Sequence, residues 1–190
     1  WIIERLDMFK QKTGAEEFIL AISDKNNFRR KLNPMYKANR RSKFAPIGLS
    51  PIRDWMAEEY GTVIYPNLEA DDVLAILATD LTPDQKRIIV SIDKDFKSVP
   101  CTFYDFNRDE IPDVSVEDAN KYHLRQTMAG DPVEGYKGSP GVGGVKANRL
   151  LDNNGATWDT VVRAYSDAEL SEQEALTNCL LYTSPSPRDS

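Results

Sequence analysis

The sequence predicts an α/β domain with a mostly parallel central sheet flanked by helices, followed by a small helical appendage. Short apolar runs rich in β-forming residues alternate with segments of helical periodicity over most of the chain. Such alternation is typical of a parallel sheet whose strands are joined by helices. From about Gly130 onward the β-forming runs stop, and glycines punctuate a helical pattern. We therefore place a core over residues 1–128 and the appendage over residues 129–170.

The first predicted element is a helix in the run IIERLDMFKQ, although a strand usually comes first in an alternating fold. Because the chain also begins at Trp1 without an initiating methionine, we expect an N-terminal segment that contains a first strand to be missing. Strands are then predicted in EFILAI, TVIY, RIIVSI and CTFYDF.

Helices between these strands are predicted in LSPIRDWMAEEYG and EADDVLAILATDL, and a further helix in VEDANKYHLRQTMAG. Gly61 is the predicted C-cap of the first of these helices, because glycine readily adopts the backbone conformation that ends many helices. Ser115 and Asp118 have the spacing of a capping box and predict the start of the last one.

The end of the chain, CLLYTSPSPRDS, is polar, proline-rich and unlike the rest. From Cys179 to Asp189 it resembles the translation of an adapter used in transposase-made sequencing libraries. We therefore expect residues 179–190 to be a non-native tail that contributes nothing to the fold. An ordinary disordered terminus is the alternative, and it leads to the same expectation.

Composition restricts the chemistry of the protein. A chain of 190 residues with 41% hydrophobic content can bury a core, and no apolar run has the length of a membrane span. Two cysteines and one histidine are too few for a disulfide framework, a thiolate metal site or a histidine cluster, so carboxylates must carry any metal chemistry. We expect a soluble, cytoplasmic monomer. The net charge of −6 argues against a generally basic nucleic-acid binder but not against a local basic patch.

Carboxylates stand at the ends of strands and starts of helices, where open parallel sheets bind ligands. Asp93 and Asp95 follow the strand RIIVSI at a spacing that places both side chains on one face of an extended chain. Four groups of acids share such positions: Asp24; Glu69, Asp71 and Asp72; Asp93 and Asp95; and Asp131 with Glu134.

Each acidic group alone has an ordinary structural explanation. Acids in the first turn stabilise a helix through its dipole, and aspartate commonly ends strands. These explanations do not account for several acidic groups that lie close together, because two unit charges about 4 Å apart repel by about 4 kcal/mol at an effective dielectric of about 20. Several such pairs at one sheet edge need a cation. Oxygen-only ligands select hard ions, Mg²⁺ or Mn²⁺, rather than zinc.

Two segments are candidates for contact with phosphate. The run FRRKLNPMYKANRRSKF concentrates basic and aromatic residues in an otherwise acidic chain: Arg29, Arg30, Lys31, Lys37, Arg40, Arg41 and Lys43, among Phe28, Tyr36 and Phe44. Charge blocks are usually solvated faces, but interleaved aromatic residues favour a nucleic-acid backbone with stackable bases.

The second segment is the glycine-rich turn GSPGVGGVK, which precedes a predicted helix. Gly141, Gly143 and Gly144 permit close approach of backbone amides to an anion, and Lys146 lies at the helix start. The turn is not a Walker A loop, because Gly144 occupies the place where that pattern requires lysine.

Four motifs have the order and roughly the spacing of the flap-endonuclease superfamily of 5′ nucleases: ISDKNNFRRKLNPMYKANR, LEADDVLA, VSIDKDFKSVP and GDPVEGYKGSPGVGGVKA. From about Glu17 to Leu151 the chain resembles this family, and most of all the 5′-to-3′ exonucleases of short-tailed phages. The resemblance implies a sheet with two divalent ions, Mg²⁺ or Mn²⁺. It also implies a helix-three-turn-helix in the appendage that grips duplex DNA and often binds K⁺.

The resemblance also assigns roles to residues. The eight acids given above would be metal-site residues, and Lys37 and Arg30 would steer or stabilise the scissile phosphate. The remaining candidates for DNA contact are Arg29, Tyr36, Arg40, Arg41, Gly141, Gly143, Gly144 and Lys146. The expected function is two-metal hydrolysis of DNA phosphodiesters at a duplex 5′ end or flap, in phage DNA replication.

Two departures from the family and two alternatives accompany this expectation. The family's first-strand aspartate would lie upstream of Trp1, and Glu134 stands where relatives usually have aspartate, so we expect slow cleavage or none. One alternative is a phosphotransferase of the haloacid dehalogenase type, although Lys97 stands where that class has Thr or Val. The other is a non-catalytic, structure-selective DNA-binding module.

Overall fold

The computed structural model describes residues 1–38, 46–80 and 85–182. Within them the helices are α1 (Ile2–Thr13), α2 (Arg29–Leu32), α3 (Leu49–Tyr60), α4 (Ala70–Thr79), a 3₁₀ helix (Lys94–Ser98), α5 (Val116–Ala129), α6 (Gly144–Asn154), α7 (Trp158–Ser166) and α8 (Glu172–Tyr182). The strands are β1 (Leu20–Ala21), β2 (Thr62–Val63), β3 (Ile88–Val90), β4 (Thr102–Tyr104), β5 (Gly130–Asp131) and β6 (Tyr136–Lys137).

The strands of the core form two parallel pairs, which confirms the predicted α/β class. β1 pairs with β2, with Leu20 opposite Thr62, and β3 pairs with β4, with Ile89 opposite Phe103. Helix α4 packs against both β1 and β3. The predicted strands are longer than the observed ones. Within the described part of the chain each of these strands pairs with one other strand, over two or three residues.

Local signals explain where the helices begin and end. α3 ends at Gly61, whose φ of 68° is left-handed and whose amide donates to the carbonyl of Ala57, as the sequence predicts. α5 begins at Ser115, whose hydroxyl accepts from the amide of Asp118. α4 begins with a reciprocal capping box between the side chains and backbones of Glu69 and Asp72, which the sequence analysis did not identify.

The core has three hydrophobic clusters. One lies between α4, the 3₁₀ helix and the β3–β4 pair and includes Ala75, Ile89 and Phe103. A second joins the end of α5 to α6, α7 and α8 around Met128 and Val161. The third packs Tyr36, Tyr136, Leu181 and Tyr182 together. Because α5 contacts both the 3₁₀ helix and the three helices that follow, it connects the core to the appendage.

The appendage contains strands, so the prediction that β structure stops near Gly130 is wrong. β5 and β6 pair antiparallel, with Gly130 opposite Lys137. A Cβ atom at Gly130 would collide with the backbone of Gly138, and one at Gly138 would collide with the carbonyl of Met128. The two segments therefore approach through glycines, which carry no β-forming signal.

Part of the C-terminal segment belongs to the fold. Cys179 to Tyr182 form the end of α8, with Leu181 only 2% exposed and Tyr182 only 8%. The expectation that residues 179–190 contribute nothing is therefore wrong for residues 179–182, because these apolar side chains find partners in the third cluster. Residues 183–190 lie outside the described part of the chain. Among the helices of the described ranges, none is both long and apolar enough to cross a membrane.

Candidate functional site

An acidic pocket opens where α4, the 3₁₀ helix and the turn between β5 and β6 meet. Six of the eight predicted acids line it: Glu69, Asp71, Asp72, Asp93, Asp95 and Glu134. Basic and phenolic side chains share the lining, namely Arg29, Lys37, Tyr36, Tyr136 and Tyr182. The structure thus brings three of the four acidic groups together, although they lie far apart in the sequence.

Asp71, Asp93 and Asp95 form the most strongly acidic part of the pocket. Loss of hydration, followed by repulsion from Asp93, raises the pKa of Asp71 to about 6, although its side chain keeps access to solvent. Burial also raises the pKa of Asp95 to about 6, against the effect of a hydrogen bond from Tyr182. Asp93 caps the 3₁₀ helix, because its Oδ1 accepts from the amide of Asp95 at 2.9 Å. The raised pKa values of these two acids therefore reflect lost hydration first and repulsion from Asp93 after it.

Asp72 and Arg29 form a buried ion pair, a contact that the sequence did not predict. The guanidinium donates to the two carboxylate oxygens of Asp72 at 2.7 and 2.6 Å, and Asp72 also accepts from the amide of Glu69. Arg29 is 5% exposed and Asp72 is 1% exposed. Asp72 therefore neutralises Arg29 and caps α4, and its expected role as a metal-site residue stays a prediction. Arg29 donates its Nε–H to the carbonyl of Leu181 and is not available to DNA.

Tyr36 does not present a ring for base stacking. Its side chain is 4% exposed, and its hydroxyl donates to Glu69 Oε2 at 2.8 Å. Burial and the charge of Glu69 raise the pKa of Tyr36, so it stays a neutral donor. The expected DNA contact is replaced by a hydrogen bond that holds Glu69.

Lys37 lies between two acids of the pocket. Its Nζ is 2.8 Å from Glu69 Oε1 and 3.0 Å from Glu134 Oε2. Its amide donates to the carbonyl of Glu134, with a left-handed φ of 51° at Lys37. This approach requires Gly135, because a Cβ atom there would lie 2.9 Å from the carbonyl oxygen of Met35. The structure therefore places Lys37 inside the acidic pocket, whereas Arg30 is exposed on α2 and outside the pocket lining.

Asp131 and Asp24 lie outside the pocket lining. Asp131 is buried; its Oδ1 accepts from the amides of Val133 and Glu134, and its Oδ2 pairs with Lys94 at 3.1 Å. It thus organises the turn that carries Glu134. Asp24 accepts from the amides of Asn67 and Lys25, and the first of these bonds lowers its pKa. The structure makes Asp24 a brace for the loop before α4 instead of a pocket acid.

Sequence reasoning missed three side chains at or beside the pocket. Tyr182 donates to Asp95 Oδ1 at 2.6 Å but belongs to the segment that we excluded. Lys94 stands between two candidate acids, a signal that the sequence analysis did not use. Tyr136 follows Glu134 by two residues; it is 3% exposed, and its hydroxyl has no hydrogen-bond partner among the described residues.

The donor set of the pocket fits a hard divalent cation in its chemistry. All candidate ligands are oxygens, two carboxylates have raised pKa values, and a buried hydroxyl lacks a partner within the described ranges. However, no three Asp, Glu, His or Cys side chains of those ranges converge on a single ion position. Three of the pocket acids, Asp72, Glu69 and Glu134, instead pair with Arg29 or Lys37, and Lys94 pairs with Asp131 outside the lining.

The glycine-rich turn forms a second candidate site, at the start of α6. Gly141 has a φ of 71°, Gly143 is the N-cap without a side-chain cap, and Lys146 is exposed in the first turn. Gly144 lies so close to the Arg125 guanidinium that a Cβ atom would collide with it. A helix start with unblocked amides and two nearby cations favours an anion. Arg40 and Arg41 lie outside the described residues.

Comparison with known proteins identifies the class. Residues 2–117 match the model of the 5′-3′ exonuclease N-terminal, resolvase-like domain. The chain therefore belongs to this 5′-3′ exonuclease family, which confirms the resemblance seen in its motifs.

The relatives come from phages and bacteria. The chain is 36% identical over 156 residues to an exodeoxyribonuclease of Enterobacteria phage T3, covering 79% of this chain and 52% of the relative. It is 35% identical over 157 residues to the exonuclease of Escherichia phage T7, covering 80% and 52%. A flap endonuclease Xni of Shewanella oneidensis is 30% identical over 140 residues, covering 67% and 54%. The chain thus spans about half the length of these curated relatives.

Solved structures share the fold. The D15 protein of T5, co-crystallised with metal ions, superposes with a TM-score of 0.74 at 14% identity, covering 95% of this chain and 79% of that chain. The bacteriophage T5 D15 flap endonuclease in complex with DNA and metal ions gives a TM-score of 0.74 at 15% identity, covering 95% and 78%. At this identity the likeness establishes the fold alone.

Proposed function

We propose that the protein is a divalent-metal-dependent 5′-to-3′ exonuclease that hydrolyses DNA phosphodiesters and takes part in phage DNA replication inside the bacterial cell. The observation that carries this proposal is an acidic pocket with an internal lysine in a chain of this family. The relatives named exodeoxyribonuclease and exonuclease, from phages T3 and T7, support the reaction and its setting.

The cation would be held from both sides of the pocket. Asp71, Asp93 and Asp95 supply carboxylates from α4 and the 3₁₀ helix, and Glu134 supplies one from the opposite turn. We propose Mg²⁺ or Mn²⁺, and two ions, because the acids are too many to serve one small ion that also retains water. When bound, such ions lower the pKa of water and offset charge on phosphoryl oxygens.

The protein's own side chains then position the reactants. Arg29 and Tyr36 fix Glu69, so the wall beside α4 is rigid. The Lys37 ammonium lies next to the carboxylates and reaches a scissile phosphate once a cation replaces it at Glu69 or Glu134. Arg30, exposed on α2, steers the strand towards the pocket.

Duplex DNA is proposed to lie along the start of α6. Gly141, Gly143 and Gly144 add no side chain to this helix start, no side-chain hydrogen bond caps it, and Lys146 with Arg125 adds positive charge. We propose that residues 1–128 are the nuclease core and that residues 129–170 are the helix-three-turn-helix unit. We also propose that this unit binds K⁺. The T5 flap endonuclease solved with DNA supports a duplex with a 5′ end or flap as substrate. We further propose that the protein acts as a monomer.

The reaction is tested with a 5′-labelled duplex and Mg²⁺ or Mn²⁺. Asp93→Asn is expected to abolish cleavage, because it removes a carboxylate from the proposed cation site. It is expected to leave DNA binding intact, because the amide oxygen of Asn can still cap the 3₁₀ helix. Asp7→Asn, an exposed acid on α1, is the matched control and is expected to cleave as the parent does. Equal cleavage by the Asp93 variant and the parent contradicts the proposal.

The DNA contact is tested in the same assay. Lys146→Ala is expected to weaken duplex affinity and to reduce the salt dependence of binding by about one phosphate contact. Lys86→Ala, another exposed lysine, is the control. An unchanged salt slope for the Lys146 variant would remove the start of α6 from the proposed DNA contact.

A non-catalytic DNA-binding module is the second candidate. One observation favours it: the described acids do not converge on an ion position, and three basic side chains engage them. Such a module retains duplex DNA without cutting it in either Mg²⁺ or Mn²⁺. The family match excludes the haloacid dehalogenase alternative.

A further inference from the structure

The Tyr136 hydroxyl is a buried polar group that the proposed reaction does not use. The side chain is 3% exposed and lines the acidic pocket. Within the described ranges its oxygen has no hydrogen-bond partner. Burying a hydroxyl without a partner costs stability, and phenylalanine would fill the same space without this cost. The hydroxyl therefore calls for a ligand that the protein itself does not provide.

The two neighbouring tyrosines provide a contrast. Tyr36 donates to Glu69 at 2.8 Å, and Tyr182 donates to Asp95 at 2.6 Å. All three rings belong to the same cluster and are similarly buried, but only Tyr36 and Tyr182 have a hydrogen-bond partner among the described residues. Of these three tyrosines, Tyr136 is the one whose hydroxyl is left available inside the pocket.

The surroundings of Tyr136 are acidic and fixed in position. β6 pairs with β5 so that Tyr136 lies opposite Asp131, and this ladder ties the ring to the turn that carries Glu134. Burial first, then the charges of Asp131, Asp95 and Glu134, raises the pKa of Tyr136, while Arg29 acts in the opposite direction. The group is therefore a neutral phenol, which both donates and accepts a hydrogen bond.

We propose that Tyr136 is a positioning residue for the cation: its hydroxyl hydrogen-bonds a water molecule in the hydration shell of a divalent ion held by the pocket acids. This inference rests on the proposed function, because it assumes the metal site. Mg²⁺ gives up its water reluctantly and usually keeps several molecules, which need partners in the protein. Such outer partners commonly change metal affinity by roughly 10–100-fold.

The test compares cation binding by the full chain and its Tyr136→Phe variant, measured by calorimetry with Mg²⁺ and with Mn²⁺ in the absence of DNA. The variant is expected to bind either ion roughly 10-fold more weakly. Its melting temperature without added cation is expected to equal or exceed that of the parent, because no hydrogen bond within the described ranges is lost. Tyr60→Phe, at the end of α3 and outside the pocket lining, is the control and should leave both quantities unchanged.

Several outcomes overturn the inference. They are an unchanged cation affinity, a lower melting temperature of the Tyr136 variant without cation, a loss confined to DNA affinity, and a parent chain that binds no cation. The proposed function fails separately. If the Tyr136 variant binds cation more weakly but the parent cleaves no DNA, the nuclease proposal is refuted and the inference stands. If the parent cleaves DNA but the variant binds cation as the parent does, the inference is refuted and the nuclease proposal stands.

Discussion

At the residue scale, Lys37 is an internal cation placed where two carboxylates would otherwise repel. Its ammonium lies within 3.0 Å of both Glu69 and Glu134. The ammonium would compete with a divalent ion for these two acids, and a lysine released from them would be available to a phosphate. Cation binding and substrate contact would therefore be coupled in this arrangement.

This coupling predicts opposite effects of Lys37→Met on two measurements. Cation affinity is expected to rise several-fold, because the competing ammonium is gone, and cleavage is expected to fall. Calorimetry with Mn²⁺ and the labelled-duplex assay measure the two effects. Lys31→Met, an exposed lysine of α2, should change neither. Weaker cation binding by the Lys37 variant would show that the lysine supports the site instead of competing for it.

Asp71 makes the stability of the protein depend on pH. Its pKa is about 6 in the folded chain, above the ordinary value of 3.8, so the folded state binds the extra proton between these values. Stability therefore falls as pH rises from about 4 to about 6. Asp71→Asn removes the unfavourable charge. We expect it to raise the melting temperature at pH 7 in the absence of divalent cation and to have no effect near pH 4.

The control for this prediction is Asp7→Asn, an exposed acid of α1. It should not alter the difference in melting temperature between pH 7 and pH 4. A variant at Asp71 that is no more stable than the parent at pH 7 would contradict the pKa assigned here.

At the scale of elements, the ion pair between Arg29 and Asp72 joins α2 to the start of α4. Both residues are buried, and the arginine also binds the carbonyl of Leu181 at the end of α8. Three elements thus meet at one guanidinium. Removing one partner of a buried pair typically costs about 3–5 kcal/mol, because the other charge stays buried.

Arg29→Met is therefore expected to lower the free energy of unfolding by roughly 3 kcal/mol or more, measured in urea. The neighbouring Arg30→Met is the matched control; it lies on the same helix but is exposed, and about 0.5 kcal/mol or less is expected. Similar losses for the two variants would show that the pair contributes little.

The sequence predicted where the elements lie better than how they pair. Helices α3 and α5 end or begin at Gly61 and Ser115 as expected, because caps are local. Strand length depends on the neighbouring strand, which here lies about 40 residues further along the chain. EFILAI therefore predicts a strand of which only Leu20 and Ala21 pair, with Thr62 and Val63. The β5–β6 pair went unrecognised because its glycines matter through close approach.

At the scale of the whole molecule, the pocket joins parts of the chain that are distant in sequence. The motifs contain six acids that the structure places in one pocket, and each motif could be found because it is local. They did not predict which acid meets which base: Arg29 pairs with Asp72, 43 residues away, and Lys37 with both Glu69 and Glu134. The contact between Asp24 and the backbone of Asn67 went unpredicted for the same reason, and a metal-site role for Asp24 stays a prediction.

The sequence and the structure give opposite expectations for the end of α8: the sequence predicts that residues 179–182 contribute nothing to stability, whereas the structure buries two of their side chains. Leu181 and Tyr182 are buried against Tyr36 and Tyr136. Burying one such side chain contributes about 1.5–3 kcal/mol. Removing residues 179–190 is therefore expected to lower the melting temperature by several degrees, since each kcal/mol shifts it by about 2–4 °C in a domain of this size. Removing residues 183–190 alone, which keeps Leu181 and Tyr182, is the control for this change and is expected to have no effect.

The end of α8 also reaches the pocket. Tyr182 donates to Asp95 and thereby lowers its pKa against the effect of burial. Tyr182→Phe removes this bond but keeps the ring that buries Asp95, so the pKa of Asp95 rises further and protons compete with the cation up to a higher pH. Cation affinity of the Tyr182→Phe variant is expected to fall as pH drops from 7 to 6, more steeply than that of the parent chain. If the melting temperature and this pH dependence are both unchanged, residues 179–182 are the dispensable tail that their sequence predicted.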